Sequence, residues 1–167
     1  AEALKIAFAG CDAVVTSGGV SVGEHDFVKA AFEQLGGTLD FWKVRIKPGK
    51  PYVFGRLKDK PLFGVPGNPV SAMVTFLVLV RPAILQMQGA TDLDLPAHPG
   101  VLADPLPNHG DRRHFMRVRV DAQGQVHPAS LQASHVVGPL GQANGLVDVP
   151  PETTLTKGTT VAVMRFA

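Results

Sequence analysis

Two glycine-rich stretches constrain the fold of this 167-residue chain more than any other feature of its sequence. Each follows a short apolar run and leads into a segment with helical periodicity: the first covers residues 17–26 and the second covers residues 64–71. Strand, loop and helix in this order are typical of an α/β layer structure, for which we expect a largely parallel sheet. Both loops would then follow the carboxyl ends of strands in one sheet, so we expect them to lie side by side.

The spacing of apolar residues predicts the elements around these loops. A helix is expected over residues 1–10, and strands over residues 12–16, 38–46, 52–56 and 62–65. A helix starting at Asp26 would bury one face, made of Phe27, Ala31, Phe32 and Leu35, and would stop at Gly36-Gly37. In the second long helix Asn68 suits the N-cap and Pro69 the first turn, and Pro82 should kink the helix before Gly89 ends it.

The pattern changes after about residue 91, where several prolines interrupt the chain and only short alternating runs follow. Strands are expected over residues 114–120, 145–149 and 159–166, with a turn at residues 121–124. These signals predict a small all-β domain over residues 91–167, a partly closed barrel or a sandwich. The α/β domain over residues 1–90 is short for a doubly wound sheet, so we expect Ala1 to be a cut point inside a larger protein.

Composition argues against several classes of protein. Hydrophobic residues make up 45% and charged residues 18% of the chain, which is typical of a soluble globular protein. The apolar run from Val70 to Val80 is too short to cross a bilayer, so no membrane partner is expected. The single cysteine, Cys11, is expected to pack in the core, and it favours a reducing, cytoplasmic location. A net charge of +2 does not by itself argue for nucleic acid. The basic residues 41–60 could attract a phosphorylated small ligand as easily as a polynucleotide, although a solvated strand face is the commoner interpretation of such a cluster.

The first glycine-rich loop, Ser17–Asp26, has the composition of an anion site. Backbone N–H groups and a helix N-terminus would suit a phosphate there, although a plain tight turn explains the glycines equally well. Gly18 and Gly23 have the spacing of a P-loop, but Glu24-His25 stands where a lysine and a hydroxyl residue would be required. An ordinary nucleoside triphosphatase is therefore not expected.

Asp26, the last residue of this loop, has two interpretations that the sequence leaves open. As a helix cap it would accept hydrogen bonds from backbone N–H groups. Together with Glu24 it would instead hold Mg²⁺ next to a bound phosphate or oxyanion.

Other polar groups of the chain are equally ambiguous. Lys47 and Lys50, in the sequence Lys-Pro-Gly-Lys-Pro, are either a clamp on anionic groups or part of a basic turn. Asn68 and Ser71 could donate to a ligand or only cap the helix. Four arginines, at positions 112, 113, 117 and 119, are expected to form a solvated strand face.

Three motifs in order, at residues 16–26, 47–51 and 64–72, resemble those of the MoeA family of molybdopterin molybdenumtransferases and of the gephyrin E domain. The resemblance implies a C-terminal fragment: a partial MogA-like three-layer α/β domain followed by a small all-β barrel-like domain. It implies insertion of molybdate into adenylylated molybdopterin with release of AMP, using Mg²⁺. A homodimer and a MogA-like adenylyltransferase as pathway partner are implied for the full-length protein.

The resemblance also implies roles for individual residues. Asp26, Pro66 and Pro69 would be catalytic or would shape the catalytic loop, and Asp26 and Glu24 would hold the metal. Substrate binding would fall to ten residues: Ser17, Gly18, Gly19, Ser21, Gly23, Lys47, Lys50, Gly67, Asn68 and Ser71. Two alternative functions stay open, a MogA-type molybdopterin adenylyltransferase, which does not predict the β domain, and a gephyrin-like scaffold or binding module.

Overall fold

The structure is a computed structural model, and it describes residues 1–20, 27–129, 132 and 141–166. In chain order the elements are α1 (Glu2–Gly10), β1 (Val14–Ser17), α2 (Phe27–Gln34), β2 (Thr38–Trp42), β3 (Ile46–Lys47), β4 (Val53–Leu57), β5 (Lys60–Val65), α3 (Pro69–Thr75), a π-helical turn (Phe76–Val80), α4 (Arg81–Met87), β6 (Ala97–Leu102), β7 (Leu106–Asn108), β8 (Arg113–Val120), β9 (Gln125–Pro128), β10 (Gly145–Val149), β11 (Thr153–Leu155) and β12 (Thr160–Arg165).

The chain divides into two compact units, which we call the α/β unit and the barrel unit. The α/β unit comprises residues 1–44 and 49–76, and the barrel unit comprises residues 45–48 and 77–167. The predicted class, an α/β domain followed by a small β barrel, is confirmed. The domain boundary between residues 90 and 91 stays a prediction.

The sheet of the α/β unit has the strand order β1-β5-β4-β2. Only β1 and β5 pair in parallel, whereas β4 is antiparallel to both of its neighbours. The prediction of a largely parallel sheet is therefore wrong. The physical reason is the two-residue turn between β4 and β5, because a connection this short joins antiparallel strands and a parallel pair needs a longer crossover.

Helices α1 and α2 cover this sheet through a core of Phe8, Val14, Phe32 and Leu62. The ring of Phe32 is fully buried. A Cβ built on Gly37 or Gly55 would come within 2.8 Å of the Phe32 ring, so both positions are open only to glycine without a shift of the ring. Gly36 ends α2 in the left-handed region, as predicted.

Two residues that the sequence placed in this core lie outside it. Phe27 is 68% exposed, because the buried face of α2 passes through Val28 and Phe32 instead. Cys11 is exposed, since it follows the end of α1 in an extended conformation.

The helix from Pro69 to Met87 begins as the sequence predicts. Asn68 is its N-cap, with the side chain accepting a hydrogen bond from Ser71 N at 3.2 Å. A π-helical turn, Phe76–Val80, lies just before Pro82, and the kink expected at that proline stays a prediction. At 19 residues this helix is long and apolar enough to span a bilayer by length and composition, a test that core helices also pass.

The barrel unit closes on itself through five strands. β10 pairs with both β12 and β8, so the order β8-β10-β12-β6-β9 returns to β8. Among the residues that the structure describes, nine buried apolar side chains pack in its interior: Leu102, Leu106, Met116, Val118, Val126, Val147, Val149, Val161 and Val163. The predicted strands over residues 114–120, 145–149 and 159–166 correspond to β8, β10 and β12.

A single strand over residues 38–46 is a wrong prediction. The chain adopts a left-handed conformation at Lys43, with φ of 75°, and this ends β2. Residues Ile46 and Lys47 then pair in parallel with β8 as part of the barrel unit. A residue other than glycine with positive φ leaves no mark in an apolar pattern, so the break could not be read from the sequence.

Candidate functional site

The two glycine-rich loops leave the α/β sheet next to each other, as predicted. β1 and β5 are parallel and in register from Val14 opposite Leu62 to Ser17 opposite Val65, so both strands end at the same edge. Beyond that edge Gly18 N donates to Val65 O at 3.0 Å, and Ser17 Oγ donates to Pro66 O at 3.4 Å. The described part of the first loop is thus bonded directly to the second.

Close backbone contact explains two of the glycines at this edge. A Cβ built on Gly67 would lie 3.3 Å from the Gly18 Cα, so a side chain there would press on the neighbouring loop. Gly18 and Gly19 have φ of 81° and 67°, in the left-handed region that favours glycine. The loops are therefore built for close approach of the backbone.

Several predicted site residues can be placed on this edge. Ser17, Gly67 and Pro69 are exposed, whereas Pro66 and Ser71 are buried. The N–H of Gly18 already bonds to Val65, so it is not available to a ligand. Asn68 uses Oδ1 for the helix cap, which leaves its Nδ2 as the donor that could face a ligand.

Four predicted residues, Ser21, Gly23, Glu24 and Asp26, lie outside the described residues. The predicted metal site consists of two of them, Glu24 and Asp26. Within residues 1–20, 27–129, 132 and 141–166, no group of three or more His, Cys, Asp or Glu side chains could hold a metal ion. The described side chains at the loop edge are hydroxyl, amide and apolar groups, so a divalent ion there would need carboxylates from the remaining loop residues.

The two lysines of the clamp motif fall in different units. Lys50 lies in the α/β unit, where its carbonyl accepts a hydrogen bond from Val44 N at 3.0 Å. Lys47 lies in the barrel unit, opposite His114 in the pairing of β3 with β8. Both side chains are exposed, so the interpretation as a joint clamp stays a prediction.

Around Lys47 the barrel unit has a cavity of about 350 Å³, which the sequence did not predict. Its lining includes Lys47, Asn108, His114, Met116 and Gln132. His114 is 3% exposed, and among the described residues its Nε2 has no hydrogen-bond partner. Burial, together with the positive charges of Lys47, Arg117 and Arg112, lowers the pKa of His114 to about 4.

The arginines at positions 112, 113, 117 and 119 do not form one solvated face, so that prediction is wrong in part. Arg113 is exposed and pairs with Asp148 at 2.7 Å, in line with it. Arg117 is 1% exposed, and burial lowers its pKa. The simple alternation failed because Met116, Arg117 and Val118 are buried in succession on β8.

The sequence of the chain matches models of known protein families. Residues 1–86 match a family model described as a probable molybdopterin binding domain, and residues 99–166 match the MoeA C-terminal region, domain IV. The chain belongs to the MoeA family. A molybdopterin molybdenumtransferase of Haemophilus influenzae is 41% identical over 161 residues, covering 93% of this chain and 40% of the relative.

Other relatives agree with this assignment to the MoeA family. The molybdenum cofactor synthesis protein cinnamon of Drosophila melanogaster is 52% identical over 83 residues, covering 50% of this chain and 14% of that protein. A crystal structure of a molybdopterin biosynthesis MoeA protein from Pyrococcus horikoshii superposes with a TM-score of 0.81 at 30% identity. That match covers 98% of this chain and 39% of the other. The chain thus spans about 40% of the length of the first of these relatives and of the solved structure.

Two residues at these sites escaped the sequence analysis. The sequence pattern places His114 only in an alternating strand, because nothing in a sequence shows that one imidazole nitrogen will be buried with no partner among the described residues. Trp42 was treated as part of a strand, although it is the only tryptophan and its Nε1 bonds to Val20 O of the glycine-rich loop at 3.2 Å. Its uniqueness was the one available signal.

Proposed function

We propose that the protein carrying this chain inserts molybdate into adenylylated molybdopterin and releases AMP. The observation that carries the proposal is the bonded pair of loops at the ends of β1 and β5, in a chain of the MoeA family. Loops at the carboxyl edge of an α/β sheet, with glycines that let the backbone approach a ligand, suit a phosphorylated cofactor precursor. The barrel unit matches the MoeA C-terminal region, which favours this activity over a MogA-type adenylyltransferase.

In this proposal the loop residues bind and orient the substrate. The backbone of Gly19 and the Asn68 amide are the groups that would contact phosphate or pterin, and Ser17 Oγ, whose proton is donated to Pro66 O, would accept a hydrogen bond from the pterin. Pro66 and Pro69 fix the path of the second loop, since each restricts its own φ and the residue before it. Neither proline transfers a proton, so their contribution to catalysis would be the shape of the loop.

Lys47 and His114 would act on the anionic reactant in the barrel unit. The cavity beside them contains an exposed ammonium group and a buried, unbonded imidazole nitrogen. An anion entering the cavity would meet the positive charges that now lower the pKa of His114, so it would raise that pKa. Coupling of anion binding to proton uptake is the chemistry that these residues can supply.

Further parts of the proposal rest on family membership. Glu24 and Asp26 are the carboxylates that would hold Mg²⁺, and a bound ion would neutralise charge on the phosphate or oxyanion. Homodimeric assembly, a MogA-like adenylyltransferase as the source of the substrate and a cytoplasmic location belong to the same proposal.

The test is a measurement of AMP release from adenylylated molybdopterin by the protein that carries this chain, with and without molybdate. We expect release that depends on molybdate and that consumes no ATP. Consumption of ATP with formation of adenylylated molybdopterin would instead identify an adenylyltransferase. A protein that catalyses neither reaction would contradict the enzymatic proposal.

Lys47→Met provides a residue-level version of this test. We expect it to weaken molybdate-dependent release about tenfold, because it removes the ammonium group of the cavity. Lys157→Met, at an exposed lysine in the turn before β12, is the matched control and should leave the rate unchanged. Equal effects of the two substitutions would contradict a role in the reaction for Lys47 and the cavity beside it.

A further inference from the structure

We propose that Trp42 is a positioning residue that holds both ends of the glycine-rich loop. The inference rests on the proposed function, in which this loop binds substrate. Its basis is a set of contacts between Trp42 and two residues, Val20 in the described part of the loop and Lys29 in α2 just after the loop. The loop contacts follow from the register of the α/β sheet.

The first contact forms above one row of residues that crosses the whole sheet. The row has one residue from each strand, each paired with the next: Thr16 on β1, Gly64 on β5, Val53 on β4 and Trp42 on β2. Val20 is fully buried above this row, where a Cβ on Gly64 would come within 2.6 Å of its Cγ1. The missing side chain of Gly64 makes room for Val20, whose carbonyl then receives the indole N–H of Trp42 at 3.2 Å.

The second contact holds the other end of the loop. Lys29, in the first turn of α2, places its ammonium nitrogen 3.9 Å from the centre of the Trp42 ring. Lys43 places its own at 3.8 Å. Cations over an indole face are attracted by the ring quadrupole, so Trp42 binds Lys29 directly and gains a second cation from the residue that follows it in the chain.

The two ends of the loop also approach each other. A Cβ built on Gly19 would lie 2.7 Å from Cγ2 of Val28, so glycine permits the contact. Trp42 therefore contacts a closed stem formed by residues 19–20 and 28–29. It is half-buried and is not among the described residues that pack into the core of Phe8, Val14, Phe32 and Leu62. The two residues that Trp42 contacts, Val20 and Lys29, are not in that core either, although Val28 of the stem packs against it.

Because Trp42 is the only tryptophan, its indole N–H gives a single resonance whose exchange with solvent reports the bond to Val20 directly. In the 167-residue chain we expect this proton to exchange at least tenfold more slowly than that of free tryptophan. Gly64→Ala should push Val20 away and speed the exchange about tenfold. The matched control is Gly10→Ala, where an added Cβ meets nothing within 4 Å, and it should change the rate by less than twofold. An indole proton that exchanges as in free tryptophan, or that ignores Gly64→Ala, would overturn the proposal.

Trp42→Phe tests whether the residue acts on the loop rather than on the whole unit. It keeps an aromatic face but removes the N–H donor, so the Gly18 amide, bonded to Val65 O at the base of the stem, should exchange about tenfold faster. The amides of Leu57 and Lys60, at the far end of the β4–β5 hairpin, should stay within twofold. Uniform acceleration, or an unchanged Gly18, would reduce Trp42 to an ordinary packing residue.

Lys29→Met tests the second contact even if Gly64→Ala or Trp42→Phe fails to fold, because it removes only an ammonium group from the surface of α2. It should speed exchange of the Gly18 amide about two- to threefold, and no change there would contradict the second contact. All of these measurements are made without substrate. The positioning role of Trp42 can therefore be contradicted while molybdate-dependent AMP release is observed, and it can be supported while that release is absent.

Discussion

The α/β unit and the barrel unit place their polar groups in opposite ways. In the α/β unit the candidate groups lie in loops beyond the ends of β1 and β5, and the strands themselves are mostly apolar. In the barrel unit they lie on strands of a closed wall, where His114 and Arg117 are buried. Loop groups can approach a ligand without loss of the core, whereas burial in the barrel wall disfavours the charged form of a titratable group, as the lowered pKa values of His114 and Arg117 show.

Phe32→Ala should have the largest effect on stability. The ring is fully buried between Phe8 and the two glycines at positions 37 and 55, so its loss leaves a cavity that the glycines cannot fill. We expect the free energy of unfolding of the α/β unit to fall by about 3–5 kcal/mol, measured by hydrogen exchange of the β4 and β5 amides. Phe27→Ala on the exposed side of the same helix should cost less than about 1 kcal/mol. Similar losses for both would mean that Phe32 is not the centre of this core.

His114→Gln tests how the buried histidine of the barrel unit makes its stability depend on pH. Folding holds the pKa of His114 at about 4, against an ordinary value of 6.5. As the pH falls from about 6.5 to about 4, the unfolded chain binds a proton that the folded chain does not bind, so stability is lost over that range. The loss should be on the order of 3 kcal/mol, and His114→Gln should abolish this part of it.

The measurement is denaturant unfolding of the barrel unit at several pH values. His109→Gln, at an exposed histidine of the same unit, is the control and should leave the pH slope as it is. A slope that survives His114→Gln would show that other groups govern the acid sensitivity of the barrel.

Asn68→Ala should have the smallest effect, because it removes one helix-cap bond at a loop of the α/β unit. We expect a loss of about 1 kcal/mol in the free energy of unfolding, while Asn68→Ser should stay within a few tenths of that of the parent because serine also caps well. If the two variants were equally stable, the cap would not contribute to the free energy of unfolding. The role left for Asn68 would then be its Nδ2 donor, which could face a ligand.

The sequence predicted the loops of the α/β unit well because their constraints are local. Asn68 and Pro69 start a helix whatever surrounds them, and the positive φ of Gly36 follows from the residue type. The adjacency of the two loops followed from the rule that strand ends of a parallel pair share an edge. Functional residues in such loops can therefore be predicted from sequence motifs.

The failures occurred where the surroundings decide the outcome. Lys43 adopts a positive φ and ends β2, which no property of lysine predicts. Arg117 is buried because strand closure places it there, and a sequence alternation cannot show which strands will meet. The contacts of Trp42 depend on the register across four strands, so they were invisible before the sheet was known.

Asp26→Asn, in the protein that carries this chain, asks whether the glycine-rich loop takes part in molybdate insertion. Asp26 lies outside the described residues, and its two interpretations predict different results. Asparagine caps a helix about as well as aspartate, so the melting temperature should not change in either case. If Asp26 holds Mg²⁺ or faces a bound oxyanion, the substitution removes a full negative charge, and molybdate-dependent AMP release should fall by about 10- to 100-fold or more. A stable variant with parental activity would contradict a catalytic role for the glycine-rich loop, and with it the account of this chain as part of a molybdate-inserting active site.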